Sequence, residues 1–135
     1  MKVLLDTNIL LSAAFFPSGV AARAFDKAVL PPYRAIICDY SLTELRRVFQ
    51  RKFPTKENEI LQFESRITGS VEIVATPTTA PDYSDGIDIR DTNDYPILWA
   101  ALHEGVDAII TGDKDFLESG LKSPMPLSAS EFLRH

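Results

Sequence analysis

The feature that most constrains the fold of this chain is a set of short apolar runs separated by segments with helical spacing. Four of these runs have the length of strands: Val3–Leu5, Ala35–Cys38, Val71–Val74 and Ala108–Thr111. Strands that are apolar along their length are buried on both faces, which is typical of a parallel sheet covered by helices. The alternation of strands and helices therefore predicts a three-layer α/β/α sandwich with a central parallel sheet.

The segments between these runs carry apolar residues at the three- and four-residue spacing of helices. We expect helices near residues 9–13, 20–28, 41–53, 56–68, 93–104, 114–118 and 130–134. Pro31-Pro32 and Pro54 follow two of them, and Gly69 and Gly105 close two others. Residues 76–90 fit neither pattern and are predicted to form a long loop, with a short edge strand at 87–89.

The size and composition of the chain fit one globular domain spanning residues 1–135. A chain of this length with 45% hydrophobic residues can bury a core without disulfides, and Cys38 is the only cysteine. The first residues are too few and too mixed for a signal peptide, and no run approaches the ~18 apolar residues that cross a bilayer. We therefore expect a cytoplasmic protein with no membrane association.

The net charge of −5 disfavours a nucleic-acid partner when it is considered alone, because phosphate binding usually requires a basic surface. Two features weaken this objection. Acidic residues gathered around bound cations would reverse the local field. In addition, Arg46, Arg47, Arg51 and Lys52 fall within seven positions. Composition therefore leaves a nucleic-acid substrate open.

Four acidic residues fall at predicted junctions between strands and helices. Asp6 directly follows the first strand, and Glu44 lies in the first turn of the helix after the second strand. Asp94 lies in the first turn of the helix after the long loop, and Asp113 follows the fourth strand by two residues. Since parallel sheets bind ligands outside the carboxyl ends of their strands, we expect these four side chains to converge there.

Converging carboxylates repel each other unless some are protonated or a cation lies among them. Oxygen ligands suit magnesium and manganese. Two such ions ~4 Å apart could activate a water and stabilise the leaving oxygen of a phosphodiester. The pattern therefore favours a metal-dependent phosphodiesterase that needs no serine, cysteine or histidine nucleophile.

Each acidic residue also has a purely structural interpretation, as part of a helix cap. Asp6 and Asp113 could be N-caps of the helices that follow them. Residues Ser41–Glu44 match a capping box, in which Glu44 would accept the backbone N–H of Ser41. Residues Asp91–Asp94 could be a helix start with Asp91 as the cap. Capping does not exclude metal binding, and four caps at one sheet edge would be an unusual coincidence.

The same residues resemble the motifs of the PIN-domain family, in the order in which that family has them. Leu4–Leu10, with its Asp-Thr-Asn sequence, resembles the first motif, and Ser41–Leu45 resembles the second. Asp94–Ala101 is similar to the third, an aspartate leading an alanine-rich helix, and Thr111–Phe116 is similar to the fourth. Together the motifs span residues 4–116, nearly the whole chain.

The resemblance implies a sheet of about five parallel strands and a metal-dependent ribonuclease site formed by Asp6, Glu44, Asp94 and Asp113. Arg90–Asp94 is similar to an Arg-Asp-Pro-x-Asp stretch found in part of the family, but has Thr92 where that stretch has proline. Either aspartate of this segment could therefore face the metal; Asp94 is the first choice and Asp91 the second. Asp115 is a further candidate ligand. Small PIN domains of this size resemble VapC-type toxins, which implies RNA as substrate and a small antitoxin as partner. A homodimer is also consistent with the family.

Five polar residues near these motifs could contact substrate phosphate: Thr7, Asn8, Thr111, Arg47 and Arg51. Arg47 and Arg51 follow Glu44 by three and seven positions and so share its helix face. The alternative is that the arginines form a solvated basic face and that the others only start a helix or end a strand.

The leading hypothesis is therefore an endoribonuclease that uses Mg²⁺ or Mn²⁺ and a metal-activated water, acting as the toxin of a toxin–antitoxin pair. The alternative is a catalytically idle PIN fold that binds nucleic acid or a protein partner. A third hypothesis is a structural α/β domain whose acidic residues are caps alone.

Overall fold

The computed structural model describes residues 1–80 and 94–135, and in them five parallel strands form one sheet. The strands are β1 (Lys2–Leu5), β2 (Arg34–Cys38), β3 (Glu72–Val74), β4 (Ala108–Ile110) and β5 (Met125–Leu127). Their order across the sheet is β3-β2-β1-β4-β5, and each neighbouring pair is parallel. The predicted α/β class and parallel sheet are confirmed.

Seven helices accompany the sheet in the described residues. They are α1 (Thr7–Phe15), α2 (Val20–Ala28), α3 (Asp39–Lys52), α4 (Glu57–Ser70), α5 (Tyr95–Glu104), α6 (Lys114–Leu117) and α7 (Ala129–Leu133).

The side chains of the central strands alternate between two separate hydrophobic cores. Val3 and Leu5 of β1 lie in a core shared with α1, α2, α3, α4 and α7. Leu4, which points to the other face, lies in a core with α5 and with Phe116 of α6. This period of two, with both faces buried, is the reason why the strands are apolar along their length. The molecule therefore has three layers, with helices on both faces of the sheet.

The direction in which successive strands are added to the sheet reverses between β1 and β4. From β1 the chain moves outward in one direction to β2 and β3, and then returns to β4 on the other side of β1. The helices that leave β1 and β4 therefore diverge, which opens a crevice outside the ends of these two strands. The backbone N–H of Asp6 donates to the carbonyl of Ile110 at 3.0 Å, so these strand ends lie side by side.

Most differences from the predicted elements lie at their ends. Strand β5 was not predicted, because three residues with Pro126 at their centre lack a strand pattern, although an edge strand tolerates proline. Helix α3 begins at Asp39, two residues earlier than expected. Gly69 lies inside α4 and does not close it, whereas Gly105 closes α5 in the left-handed conformation at φ 63°. Helix α5 begins at Tyr95, two residues later than expected, so Asp94 is its N-cap residue and does not lie in its first turn. The predicted strand at 87–89 lies outside the described residues.

No single helix in residues 1–80 and 94–135 has the length and apolar character of a membrane span. Helices α1 and α2 meet that description only as a pair, and they are bent by 116° relative to each other.

Candidate functional site

A pocket of about 200 Å³ opens at the carboxyl edge of the sheet, in the crevice between the ends of β1 and β4. Its walls come from the first turns of α1, from α3, from the start of α5 and from the loop after β4. The described lining residues are Asp6, Thr7, Asn8, Leu11, Glu44, Val48, Asp94, Ile97 and Asp113. All four acidic residues singled out in the sequence therefore meet at one pocket, and none of these lining residues is basic.

Asp6 is the most deeply buried of these acidic residues, with 2% of its surface exposed. It follows β1 and caps α1, since its Oδ1 accepts the backbone N–H of Thr7 at 2.7 Å. Its Oδ2 accepts the hydroxyl of Thr111 at 2.7 Å. Both carboxylate oxygens are thus held by donors, which fixes the plane of the group.

Burial raises the pKa of Asp6 from 3.8 to about 6. The hydrogen bonds from Thr111 and Thr7 oppose this shift, because they favour the charged form. The nearby carboxylates of Asp113 and Glu44 raise the pKa further. The charged form of Asp6 is therefore repelled by Asp113 and Glu44, as predicted for converging acidic residues.

Thr111 connects Asp6 to the loop that carries Asp113. Its buried hydroxyl donates to Asp6 and accepts the backbone N–H of Asp113 at 3.0 Å. Asp113 in turn caps α6, with its Oδ1 accepting the backbone N–H of Asp115 at 2.9 Å. The structural interpretation of Asp113 as an N-cap is correct, and since the cap uses Oδ1, it does not consume the whole carboxylate.

Asp94, Asp113 and Asp115 form a compact acidic group beside the pocket. Each offers one carboxylate oxygen, and these three oxygens lie within 4.8 Å of one another. Asp94 is 6% exposed, precedes α5 directly and makes no side-chain capping bond to that helix. Three converging carboxylate oxygens form a donor set that fits a hard divalent cation such as Mg²⁺ or Mn²⁺.

Asp115 was only a further candidate in the sequence, yet it belongs to this group. The signal was its position in the Thr-x-Asp-x-Asp motif, which does not reveal the direction of the side chain. The alternative ligand, Asp91, lies outside the described residues.

The interpretation of Ser41–Glu44 as a capping box is wrong. Helix α3 begins at Asp39 after the N-cap Cys38, so Ser41 is already inside the first turn and Glu44 lies in the second. The earlier start is anchored by Asp39, whose Oδ1 accepts the backbone N–H of Thr76 at 3.0 Å. That position takes Glu44 away from the helix end and places it at the pocket.

Glu44 contacts the first turn of α1 through Thr7. The Thr7 Oγ1 atom lies 3.0 Å from Oε1 of Glu44 and 2.9 Å from Oγ of Ser41. Ser41 is fully buried. Its contact with α1 could not be predicted from the sequence, because that contact depends on where α3 begins.

The candidate phosphate-binding residues differ in their placement. Asn8 is exposed and lines the pocket. Arg47 and Arg51 are exposed on α3, one and two turns beyond Glu44, and are not among the described lining residues. Thr7 and Thr111 are buried, with their hydroxyls bonded to protein groups.

A larger cavity of about 470 Å³ lies between α3 and α4, and it differs in its chemistry. Its lining mixes apolar residues such as Phe53 and Leu61 with the ion pair of Arg46 and Glu64, at 2.8 Å. It does not gather acidic residues from several strand ends. The smaller pocket is therefore the better candidate for chemistry, in spite of its size.

Comparisons with known proteins agree with the observed fold. A family model described as PIN domain matches residues 2–115. An uncharacterized protein of Methanocaldococcus jannaschii is 27% identical over 125 residues, covering 87% of this chain and 74% of that protein.

Two solved structures have a similar fold. VapBC2 from Rickettsia felis, bound to a DNA fragment from its promoter, matches with a TM-score of 0.74 at 16% identity. That match covers 95% of this chain and 98% of the other. Mycobacterium tuberculosis VapC20, described as a toxin that cleaves the sarcin-ricin loop, matches with a TM-score of 0.65 at 12% identity. It covers 88% of this chain and 95% of the other.

Proposed function

Because this chain belongs to the PIN-domain family, we propose that it is a metal-dependent endoribonuclease and the toxin of a toxin–antitoxin pair. The observation that carries the proposal is the convergence of four acidic residues on one pocket: Asp6, Glu44, Asp94 and Asp113. In addition, a carboxylate oxygen of Asp115 lies within 4.8 Å of carboxylate oxygens of Asp94 and Asp113. Caps alone do not account for this pocket, because Glu44 lies inside α3 and Asp94 makes no side-chain capping bond to α5.

The charge of the pocket explains why a cation is part of the proposal. An RNA phosphate would be repelled by several carboxylates, and none of the described lining residues is a lysine or arginine. A bound Mg²⁺ or Mn²⁺ would supply an activated water and would offset negative charge on the scissile phosphate. The acidic residues would hold this cation at the ends of the strands.

The other groups of the pocket divide between support and substrate binding. Thr111 fixes the position of Asp6 relative to the loop that carries Asp113, because its hydroxyl bonds to both. Asn8, exposed at the pocket, is placed to contact a phosphate or ribose oxygen. Arg47 and Arg51 offer positive charge along α3, which would position the RNA backbone next to the pocket.

The RNA substrate and the toxin role rest on the comparisons and not on the pocket. One structural neighbour is described as a toxin that cleaves the sarcin-ricin loop, and the other as a VapBC assembly on promoter DNA. We carry over from them RNA as the substrate class and a small antitoxin as the partner.

The direct test is cleavage of a labelled RNA with Mn²⁺ or Mg²⁺, with EDTA as the metal-free control. We expect Asp94→Asn and Asp6→Asn to lower the cleavage rate by about 100-fold or more, since residues that only support metal ligands already change activity 10- to 100-fold. Glu59→Gln, an exposed substitution on α4, serves as the matched control and should cleave like wild type.

Two results would contradict the proposal. Cleavage by Asp94→Asn at the wild-type rate would exclude the pocket as the active site. RNA binding by wild type without any cleavage would favour the alternative, a catalytically idle PIN fold that binds nucleic acid.

A further inference from the structure

Two buried hydroxyl groups, those of Ser41 and Thr7, connect the first turn of α3 to the first turn of α1. Ser41 Oγ lies 2.9 Å from Thr7 Oγ1, which lies 3.0 Å from Glu44 Oε1. At the other end, Cys38 Sγ lies 3.5 Å from Ser41 Oγ. We infer that Ser41 is a positioning residue of the pocket: its hydroxyl holds Thr7, and Thr7 in turn holds the Glu44 carboxylate in place.

The direction of these bonds follows from counting protons. A carboxylate only accepts hydrogen bonds, so Thr7 must donate its single hydroxyl proton to Glu44. Thr7 cannot then donate to Ser41 as well, and the 2.9 Å contact requires that Ser41 donates to Thr7. The Cys38 thiol is left as a weak donor to Ser41. These bonds therefore all point towards Glu44.

Burial makes this arrangement rigid. Ser41 and Cys38 are fully buried and Thr7 is 5% exposed, so water does not compete for these groups. Bonds of this kind polarise one another in a low dielectric, and a donor that is itself accepting a bond donates more strongly. Glu44 is half-buried on a long, flexible side chain, and Thr7 restricts it to one side of the pocket.

The single hydroxyl proton of Thr7 also gives this residue a role different from phosphate binding. Its one proton is committed to Glu44 and its oxygen accepts from Ser41, so the hydroxyl offers no donor to a substrate. Ser41 does not cap α3 and lies 34 positions from Thr7 in the sequence. Its hydroxyl therefore serves the junction of α1 and α3.

This inference rests on the proposed metal site, and manganese affinity measured without RNA tests it apart from cleavage. Calorimetric titration with Mn²⁺ would compare wild type with Ser41→Ala, Thr7→Val, Thr7→Ser and the Ser41→Ala/Thr7→Val pair. Ser65→Ala, an exposed substitution on α4, is the matched control. Alanine favours the helix at position 41, so that variant should fold, and the metal-free melting temperature checks each protein.

We expect Thr7→Val to weaken Mn²⁺ binding about tenfold, in the range found for residues that support metal ligands. Ser41→Ala should weaken it less, by about threefold, since Thr7 can still donate to Glu44. Thr7→Ser should keep the wild-type affinity. The paired variant should bind like Thr7→Val alone, because Ser41 acts through Thr7. In cleavage assays kcat should fall while KM for RNA stays constant.

Several outcomes would overturn the inference while leaving the proposed function intact. One is wild-type Mn²⁺ affinity in both Ser41→Ala and Thr7→Val. Another is a paired variant whose loss equals the product of the two single losses, which would mean independent roles. A third is a Thr7→Ser protein as weak as Thr7→Val. No Mn²⁺ binding by wild type would instead reject the metal site, and the inference with it.

Discussion

Among single residues, Asp6 bears an energetic conflict between burial and charge. Its side chain is almost fully buried, and the hydrogen bonds from Thr7 and Thr111 only partly offset the loss of hydration. A carboxylate in this state destabilises the folded protein when it is charged and metal-free. A bound cation would stabilise the charged carboxylate of Asp6. The stability of the folded protein would therefore depend on metal binding.

The unfolding free energy of the metal-free protein should therefore fall as the pH rises. The pKa of Asp6 is about 6 in the folded chain and 3.8 is its usual value, so between these limits the folded state binds more protons. The stabilisation by the proton is complete below about pH 4 and lost above about pH 6, and amounts to about 3 kcal/mol. Urea unfolding in EDTA from pH 4 to 8 measures this.

Asp6→Asn is the control for this pH dependence, because asparagine does not titrate. The difference in unfolding free energy between wild type and variant should shift by about 2–3 kcal/mol across that range, in favour of the variant at high pH. A difference that stays constant from pH 4 to 8 would show that Asp6 is not buried and charged as described.

The residues of the site could be predicted from the sequence only where a junction fixes their place. Asp6 follows β1 directly and Asp113 follows β4 after two intervening residues, so an apolar run with an acidic residue close behind it was enough to place them. The bond from Ser41 to Thr7 could not be predicted, because it depends on the two extra residues at the start of α3 and on the packing of two helices.

At the scale of elements, prediction worked where an apolar pattern and a stop signal agreed. Strands β1, β2 and β4 are apolar on both faces, and each was placed to within one residue. Strand β5 failed because Met125-Pro126-Leu127 pairs on one side only and is too short for a periodic pattern. Its existence is decided by the exposed edge of β4 and not by its own composition.

Two glycines give opposite predictions for the ends of helices. Gly105 closes α5 at φ 63°, where a Cβ is strained, so Gly105→Ala should lower the unfolding free energy by about 1 kcal/mol. Gly69 lies inside α4 with open space around it, so Gly69→Ala should raise that free energy by about 0.5 kcal/mol. Chemical denaturation of both variants checks the signs. Destabilisation by Gly69→Ala would contradict the extent of α4.

For the whole molecule, the net negative charge is as large as the number of acidic residues in the pocket region. The chain contains 19 acidic and 14 basic residues. When the five acidic residues of the pocket region are set aside, namely Asp6, Glu44, Asp94, Asp113 and Asp115, 14 of each sign remain. The net charge of −5 therefore equals that of the pocket acids, and divalent cations bound there would offset most of it. Cations bound at the pocket would therefore weaken the compositional objection to an RNA substrate.

The proposed toxin role predicts an effect on whole cells that depends on the pocket. Expression of the wild-type chain alone in a bacterial host should arrest growth, because RNA cleavage that no antitoxin restrains would stop protein synthesis. Asp94→Asn, which removes a buried carboxylate of the acidic group, should let the cells grow at equal protein level. Glu59→Gln, exposed on α4, should arrest growth as wild type does. Growth curves with immunoblots for protein level distinguish these cases. Normal growth of cells that contain an active ribonuclease would reject the toxin role but keep the enzyme, whereas arrest by Asp94→Asn would show that toxicity does not come from the pocket.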